Sequence, residues 1–253
     1  MKRIALFTSS SFRHKYFISE LTNLIRPELV VIEKKPPISF FDKEEKYFLK
    51  KINSEAINRD ELIVVEKGMI NSEKVKKAIV EKEIDVILVF GTSILKKEIF
   101  DSVDNCINIH TGLIQSYRGV DSNFWCIFEN KPESIGVTIH KVNKGIDTGN
   151  ILLQSRVPLN ISDKYEDIFL RSCKVGVDIL SKNIEKILHD KIVPKPLKSR
   201  GKLFMIKDMN DIARQKVNSS IQMIIKKYLD EKKLRDQTIK LINGVGENGL
   251  YNK

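Results

Sequence analysis

Asn108 and His110 stand two positions apart at the end of the apolar run Cys106-Ile107-Asn108-Ile109-His110, and Asp147 follows on the glycine-flanked segment Gly145-Ile146-Asp147-Thr148-Gly149. Side chains two apart on a strand leave by the same face, so the amide and the imidazole can address one reacting atom. An amide N–H suits an oxygen that gains negative charge. An imidazole exchanges protons near neutral pH, and a neighbouring carboxylate orients it and favours its cation. Each residue also has a plain use: His110 as a hydrogen-bonded structural histidine, and Asp147 as a turn residue beside glycine. Asp147-Thr148-Gly149 further matches the triplet of aspartic proteases, which needs an all-β fold that the helical stretches of this chain deny. His14, His140 and His189 are read as structural or surface residues.

Residues at the carboxyl end of a strand sit where open α/β sheets bind ligands. Arg3 to Thr8 reads as a strand, Phe12 to Ile25 as a helix and Leu29 to Glu33 as a second strand, a βαβ opening. Pro36-Pro37 and the charged stretch from Phe41 to Lys51 break the alternation and predict an excursion. Leu62 to Val65 reads as a strand and Ser72 to Glu81 as a helix, and the continuous apolar run from Asp85 to Phe90 suits a strand buried on both faces of a parallel sheet. Further strands are expected at Cys106 to Ile109, Val137 to Val142 and Ile151 to Val157, with a short helix at Ser122 to Glu129 around Trp125. Asp163 and Glu166 look like a capping box, after which Tyr165, Phe169, Cys173, Val177, Leu180, Ile184 and Leu188 recur at helical spacing. Pro194 and Pro196 mark a boundary, and Val217, Ile221, Ile224 and Tyr228 predict another helix. The expected division is 1–193 for an α/β body and 194–253 for a small, mainly helical appendage.

A chain of 253 residues with 42% hydrophobic and 30% charged residues has globular composition. Met1-Lys2-Arg3 followed by Ile4 to Phe7 begins like a signal peptide, but Thr8-Ser9-Ser10-Ser11 ends the apolar run too early. No stretch approaches the roughly 18 apolar residues of a membrane span. Cys106, Cys126 and Cys173 match no zinc or CxxC spacing and are read as reduced, which fits a cytoplasmic protein. The net charge of +11 is spread among acids without an aromatic-interleaved basic stripe, which argues against a nucleic-acid partner and leaves attraction for an anionic small molecule.

The Asn-x-His pair, Tyr117-Arg118-Gly119, Gly136-Val137-Thr138-Ile139-His140 and the run Gly145 to Leu152 together resemble the folate-dependent formyltransferase family, most densely from Asp85 to Leu159. The resemblance implies a Rossmann-like formyltransferase fold with a mostly parallel sheet, and catalysis by Asn108, His110 and Asp147 without a metal. It implies a 10-formyltetrahydrofolate site at Ser93, Ile94, Leu95, Val142, Asn143, Lys144 and Gly145. The family's usual Ser and Pro after the histidine are Gly112 and Gln115 here, a departure that bears on the amine substrate. The serine turn Ser9, Ser10 and Ser11 precedes a helix and suits a phosphate, while Arg13 and Arg118, the latter beside Tyr117, suit a diphosphate. The expected substrate is therefore the amine of a nucleotide-linked amino sugar, in surface glycan synthesis. About sixty residues follow Pro194, short of the roughly hundred-residue barrel expected of a methionyl-tRNA formyltransferase and more than a purine-pathway transformylase needs. Those two activities, and a non-catalytic Rossmann-like protein binding an anionic ligand, are the rival readings. The appendage is compatible with a homodimer.

Overall fold

Hydrophobic alternation organises the fold, seen in a computed structural model that describes residues 2–34, 44–48 and 61–244. Strands β1 (Ile4–Ser9), β2 (Leu29–Glu33), β3 (Leu62–Val65), β4 (Val86–Phe90) and β5 (Asn105–His110) are joined by β7 (Gly136–Lys141) and β8 (Ile151–Arg156) in one seven-stranded sheet. Its order is β3-β2-β1-β4-β5-β7-β8, with the first five strands parallel and the last two antiparallel. On β1, Ile4 and Leu6 enter one hydrophobic core while Ala5 and Phe7 enter another on the opposite face, as a strand buried on both sides requires.

Helices α1 (Phe12–Thr22) and α6 (Tyr165–Leu188) cover the first face through Phe17, Leu21, Leu170, Val177 and Leu180. The other face receives α3 (Glu73–Glu81) and the single turn α4 (Lys97–Phe100) through Val75, Ile79 and Ile99. Gly176 brings α6 close to β5, since a Cβ there would stand 2.6 Å from Ile109 Cγ2. α1 stops short of the expected Ile25, where the chain turns toward Pro27. The start of α6 also differs from expectation: its N-cap is Lys164, whose N–H donates to Asp167 Oδ2 at 2.9 Å. Asp163 instead accepts from Asn160 N–H and forms a two-pronged pair with Arg171 at 2.7 and 2.8 Å. The excursion expected between residues 36 and 51 falls largely outside the described residues. Within it, α2 (Glu44–Phe48) buries Phe48 against Tyr16, ring centroids 5.1 Å apart.

A third core joins α5 (Ser122–Phe128) to α7 (Asp211–Asp230), where Trp125, Ile127 and Val137 meet Val217, Ile221 and Tyr228. Asn210 caps α7 by accepting from Ala213 N–H, and α8 (Lys232–Asp236) follows. β6 (Tyr117–Gly119) pairs in parallel with β9 (Lys202–Phe204), and the Phe204 ring stacks on Trp125 at 4.0 Å. The helical C-terminal region is thus docked by a strand pair as well as by apolar packing. Among the described residues no helix is long and apolar enough to cross a membrane. Trp125→Ala should destabilise the protein by about 3–5 kcal/mol, read as a fall in the denaturant midpoint. An unchanged midpoint would show that this core does not hold the C-terminal region.

Candidate active site

The strand order reverses direction between β1 and β4, and such a switch point opens a crevice at the carboxyl ends of the strands. A cavity of about 350 Å³ lies there, walled by residues following β1, β4 and β5. Gly91, at φ +74°, turns the chain at the end of β4, and a Cβ there would stand 2.1 Å from His14 Cε1. His14 is therefore a wall of the cavity as well as a buried residue held by Thr8 Oγ1 at 2.9 Å.

Asn108, His110 and Asp147 all face this cavity. On β5 the first two alternate with Ile107 and Ile109, whose side chains enter the core under α6. Asp147 reaches them from the loop between β7 and β8, with Oδ2 3.4 Å from His110 Nδ1 and 2.9 Å from the donating N–H of Gly119. Its other oxygen lies 3.5 Å from His140 Nε2. Burial by itself would raise the Asp147 carboxyl, but its contacts with the His110 and His140 rings and the Gly119 N–H outweigh it and hold the group well below the usual carboxylate range. For His110 burial wins, and the imidazole lies below its ordinary value of about 6.5 despite the Asp147 charge. The resting pair at neutral pH is a carboxylate beside a neutral ring.

His140, read from sequence as structural, belongs to this cluster. It stands directly opposite Asn108 in the antiparallel register of β5 and β7, where facing side chains meet. Its Nδ1 lies 2.9 Å from the Lys141 carbonyl and must donate to it, while its Nε2 lies 3.2 Å from Asn108 Nδ2. The imidazole thereby helps to position the Asn108 amide. The antiparallel pairing of Gly136 to Lys141 with β5 was the missing signal, and no local pattern discloses it.

Asp147 adopts φ +47°, and its loop is pinned from several sides. Gly149 packs so tightly that a Cβ would come within 1.6 Å of the Lys141 carbonyl oxygen. Arg118 donates from Nε to the Gly201 carbonyl at 2.9 Å and from Nη1 to the Ile146 carbonyl at 2.8 Å. Its guanidinium is thus committed to holding the loop rather than turned toward a diphosphate. Tyr117 is buried and donates to Glu129 Oε2 at 2.8 Å. Neither side chain forms the cavity wall, which Gly119 of the same segment does line, so Tyr117 and Arg118 brace the surroundings of Asp147.

Ser93, Ile94, Leu95, Val142, Asn143 and Gly145 do line the cavity, whereas Lys144 lies outside its wall. Buried Glu33 holds the first of these segments by accepting from Ser93 N–H at 2.7 Å, and links it to the turn after β3 by accepting from Gly68 N–H at 2.6 Å. Arg13 reaches the cavity with its guanidinium carbon 5.3 Å from the Phe169 ring centroid. Ser9, Ser10 and Ser11 do not reach it. Ser11 caps α1 through its carbonyl, which accepts from His14 and Lys15 N–H.

The two unusual residues after His110 are also absent from the cavity wall. A Cβ at Gly112 would stand 2.4 Å from Ser122 Cβ. Gln115 exchanges amide hydrogen bonds with Gln154 at 2.6 and 3.1 Å, and Gln154 in turn binds the backbone of Ile242 and the side chain of Asn243. Neither residue therefore bears on the amine substrate as expected; one makes room beside His110 and the other docks the C-terminal segment.

Comparison with known proteins agrees with this architecture. The methionyl-tRNA formyltransferase of Thermodesulfovibrio yellowstonii is 34% identical over 115 residues, 45% of this chain and 37% of that protein; the chain thus matches little more than a third of that relative's length. A sugar N-formyltransferase from Shewanella superposes with a TM-score of 0.60 at 21% identity, covering 85% of this chain and 86% of its own. An N-formyltransferase from Helicobacter canadensis, solved with folinic acid and dTDP-3-aminofucose, superposes at 0.54 with 18% identity, covering 83% and 73%. The formyl transferase family profile matches residues 25–184, and with its sheet and helices in that family's arrangement the chain belongs to the formyl transferases.

Proposed function

We propose that this protein moves a formyl group from 10-formyltetrahydrofolate to the primary amine of a nucleotide-linked amino sugar, in surface glycan synthesis. The observation that carries the reading is the convergence of Asn108, His110 and Asp147 on one cavity at the switch point of the sheet. The cavity fits the donor: Leu95, Val142 and Ile146 offer an apolar wall for a flat ring system, and Asn143 a polar rim. When bound, the folate supplies an electrophilic formyl carbon and a nitrogen leaving group.

Asn108 donates from its amide to the oxygen that gains charge as the amine adds, a contribution of about 2.7–4 kcal/mol for one such donor. His110, neutral at rest, takes the amine proton and returns it to the leaving nitrogen. Asp147 stays ionised throughout. It holds the ring's orientation and stabilises the imidazolium, while its depressed carboxyl makes it a poor proton carrier. Arg13, the cation in the wall, is the group we assign to the acceptor's phosphates. The Helicobacter enzyme's dTDP-linked ligand supports a nucleotide sugar as acceptor. The sequence match to a methionyl-tRNA formyltransferase makes the initiator aminoacyl-tRNA the second acceptor to test.

Incubation with 10-formyltetrahydrofolate and a panel of nucleotide-linked amino sugars should give one product with the mass gain of a formyl group. Transfer to methionyl-tRNA alone would overturn the sugar assignment, and no transfer to any amine would overturn the enzyme. His110→Ala and Asp147→Asn should each lower kcat by about 10²–10⁴-fold with the fold intact by circular dichroism; near-normal turnover in either removes the assigned role. Because His110 must be neutral and its value is lowered, turnover should hold through neutrality and fall only below about pH 6.5. Asp147→Asn removes the charge that opposes this lowering, so the acid limb should move further down in pH. A limb that moves up contradicts the assignment.

A further inference from the structure

We infer that Ser122 is a positioning residue for His110: its hydroxyl, seated in space that exists because residue 112 is glycine, sets which ring nitrogen carries the hydrogen and keeps the ring partnered when it gains a proton. The inference rests on the catalytic role proposed for His110. Ser122 is fully buried at the start of α5, with Oγ 3.0 Å from His110 Nε2. A Cβ at position 112 would stand 2.4 Å from Ser122 Cβ and 2.7 Å from His110 Nε2, so any larger residue there would displace the serine, the ring or both. Glycine at 112 and serine at 122 thus share one volume beside the imidazole.

The chemistry of the partners fixes the tautomer. His110 Nδ1 faces Asp147 Oδ2, and an ionised carboxylate only accepts hydrogen bonds, so Nδ1 carries the hydrogen of the neutral ring. Nε2 then presents the ring's one lone pair, to which the Ser122 O–H donates at rest and which it yields to the amine proton during turnover. When the ring becomes an imidazolium, Nε2–H donates in turn and the hydroxyl swings to accept, which a fixed carbonyl or amide hydrogen could not do in both states. The other groups facing the ring are His140 on β7, Arg118 on β6 and the backbone carbonyl of Tyr117. The arginine only donates and the carbonyl only accepts, and the His140 ring centroid lies 6.4 Å away.

Ser122→Ala removes the hydroxyl with little change of volume. It should lower kcat by about tenfold, the size expected for one lost buried partner. KM should stay unchanged because Ser122 does not form the cavity wall. Hydrogen bonds to an ion are about twice as strong as neutral ones, so the imidazolium loses more than the neutral ring and the acid limb of the kcat profile should shift to lower pH. A Ser122→Ala enzyme with unchanged kcat and an unchanged limb overturns the inference. The tautomer is read independently in the unaltered protein by nitrogen NMR of the imidazoles: His110 protonated on Nδ1 at neutral pH is expected, and protonation on Nε2 overturns it. His110→Ala separates the two levels. If that variant is inactive while Ser122→Ala matches the unaltered enzyme, only the serine's role falls; if it is fully active, the role proposed for His110 falls too.

Discussion

The site is organised by the need to keep one carboxylate ionised away from bulk water. A buried charge without partners is strongly unfavourable and would simply take up a proton. Asp147 avoids this by meeting His110, His140 and the Gly119 N–H at once. Those partners come from β5, β7 and β6, so the charge can be held only when three strands and one loop occupy their places together. The left-handed backbone at Asp147 and the close passage of Gly149 over the Lys141 carbonyl are consequences of bringing the carboxylate to that point. Arg118 and Tyr117 extend the same support outward, through the Ile146 carbonyl on one side and Glu129 on the other.

Beneath the charge cluster, the sheet supplies rigidity through packing on both faces. Ile107 and Ile109 anchor β5 in the core under α6, which is why Asn108 and His110, one step out of phase with them, open onto the crevice. Gly176 allows α6 to lie close behind that strand. The opposing wall is positioned by a different device, since Glu33 on β2 ties the segment after β4 to the one after β3 by accepting from Ser93 N–H and Gly68 N–H. A buried carboxylate thus also fixes the surface assigned to the folate, without itself entering the cavity wall.

What could be read in the sequence depended on how local the cause was. The alternation of Asn108 and His110 with two isoleucines is a property of five consecutive residues, and the apolar runs of β1 and β4 and the periodicity of α6 are equally local. His140 was missed because its meaning comes from an antiparallel register with a strand some thirty residues earlier. Ser122 was missed because its position depends on a side chain that residue 112 does not have. Tyr117 and Arg118 were assigned to substrate because an arginine in a loop has no orientation until its neighbours are placed. Here the neighbours are the carbonyls of Gly201 and Ile146, and the first of them belongs to a segment that no motif connects with the loop. The capping of α6 shifted by one residue because Asp163 finds a stronger partner in Arg171 than in a backbone N–H.

These displacements alter where selectivity for the acceptor must reside. Gly112 and Gln115 differ from the family pattern, yet one makes room behind His110 and the other joins Gln154 in holding residues 242 and 243. Their departures are therefore internal compensations, linked to a serine on α5 and to the C-terminal segment. The polar wall that remains beside Asn108, His110 and Asp147 includes Arg13 at the start of α1, Thr111 after β5 and Asp121 before α5. Burial raises the Asp121 carboxyl, opposed by the nearby Arg13 charge, so the two form an electrostatic unit in the cavity wall. Met205, from the region after β9, closes the same wall. Because that methionine is carried by the chain that pairs β9 with β6, the C-terminal region shapes the cavity as well as covering an apolar face. A change in the docking of β9 is thereby coupled both to the cavity wall and, through the Gly201 carbonyl and Arg118, to the loop that carries Asp147.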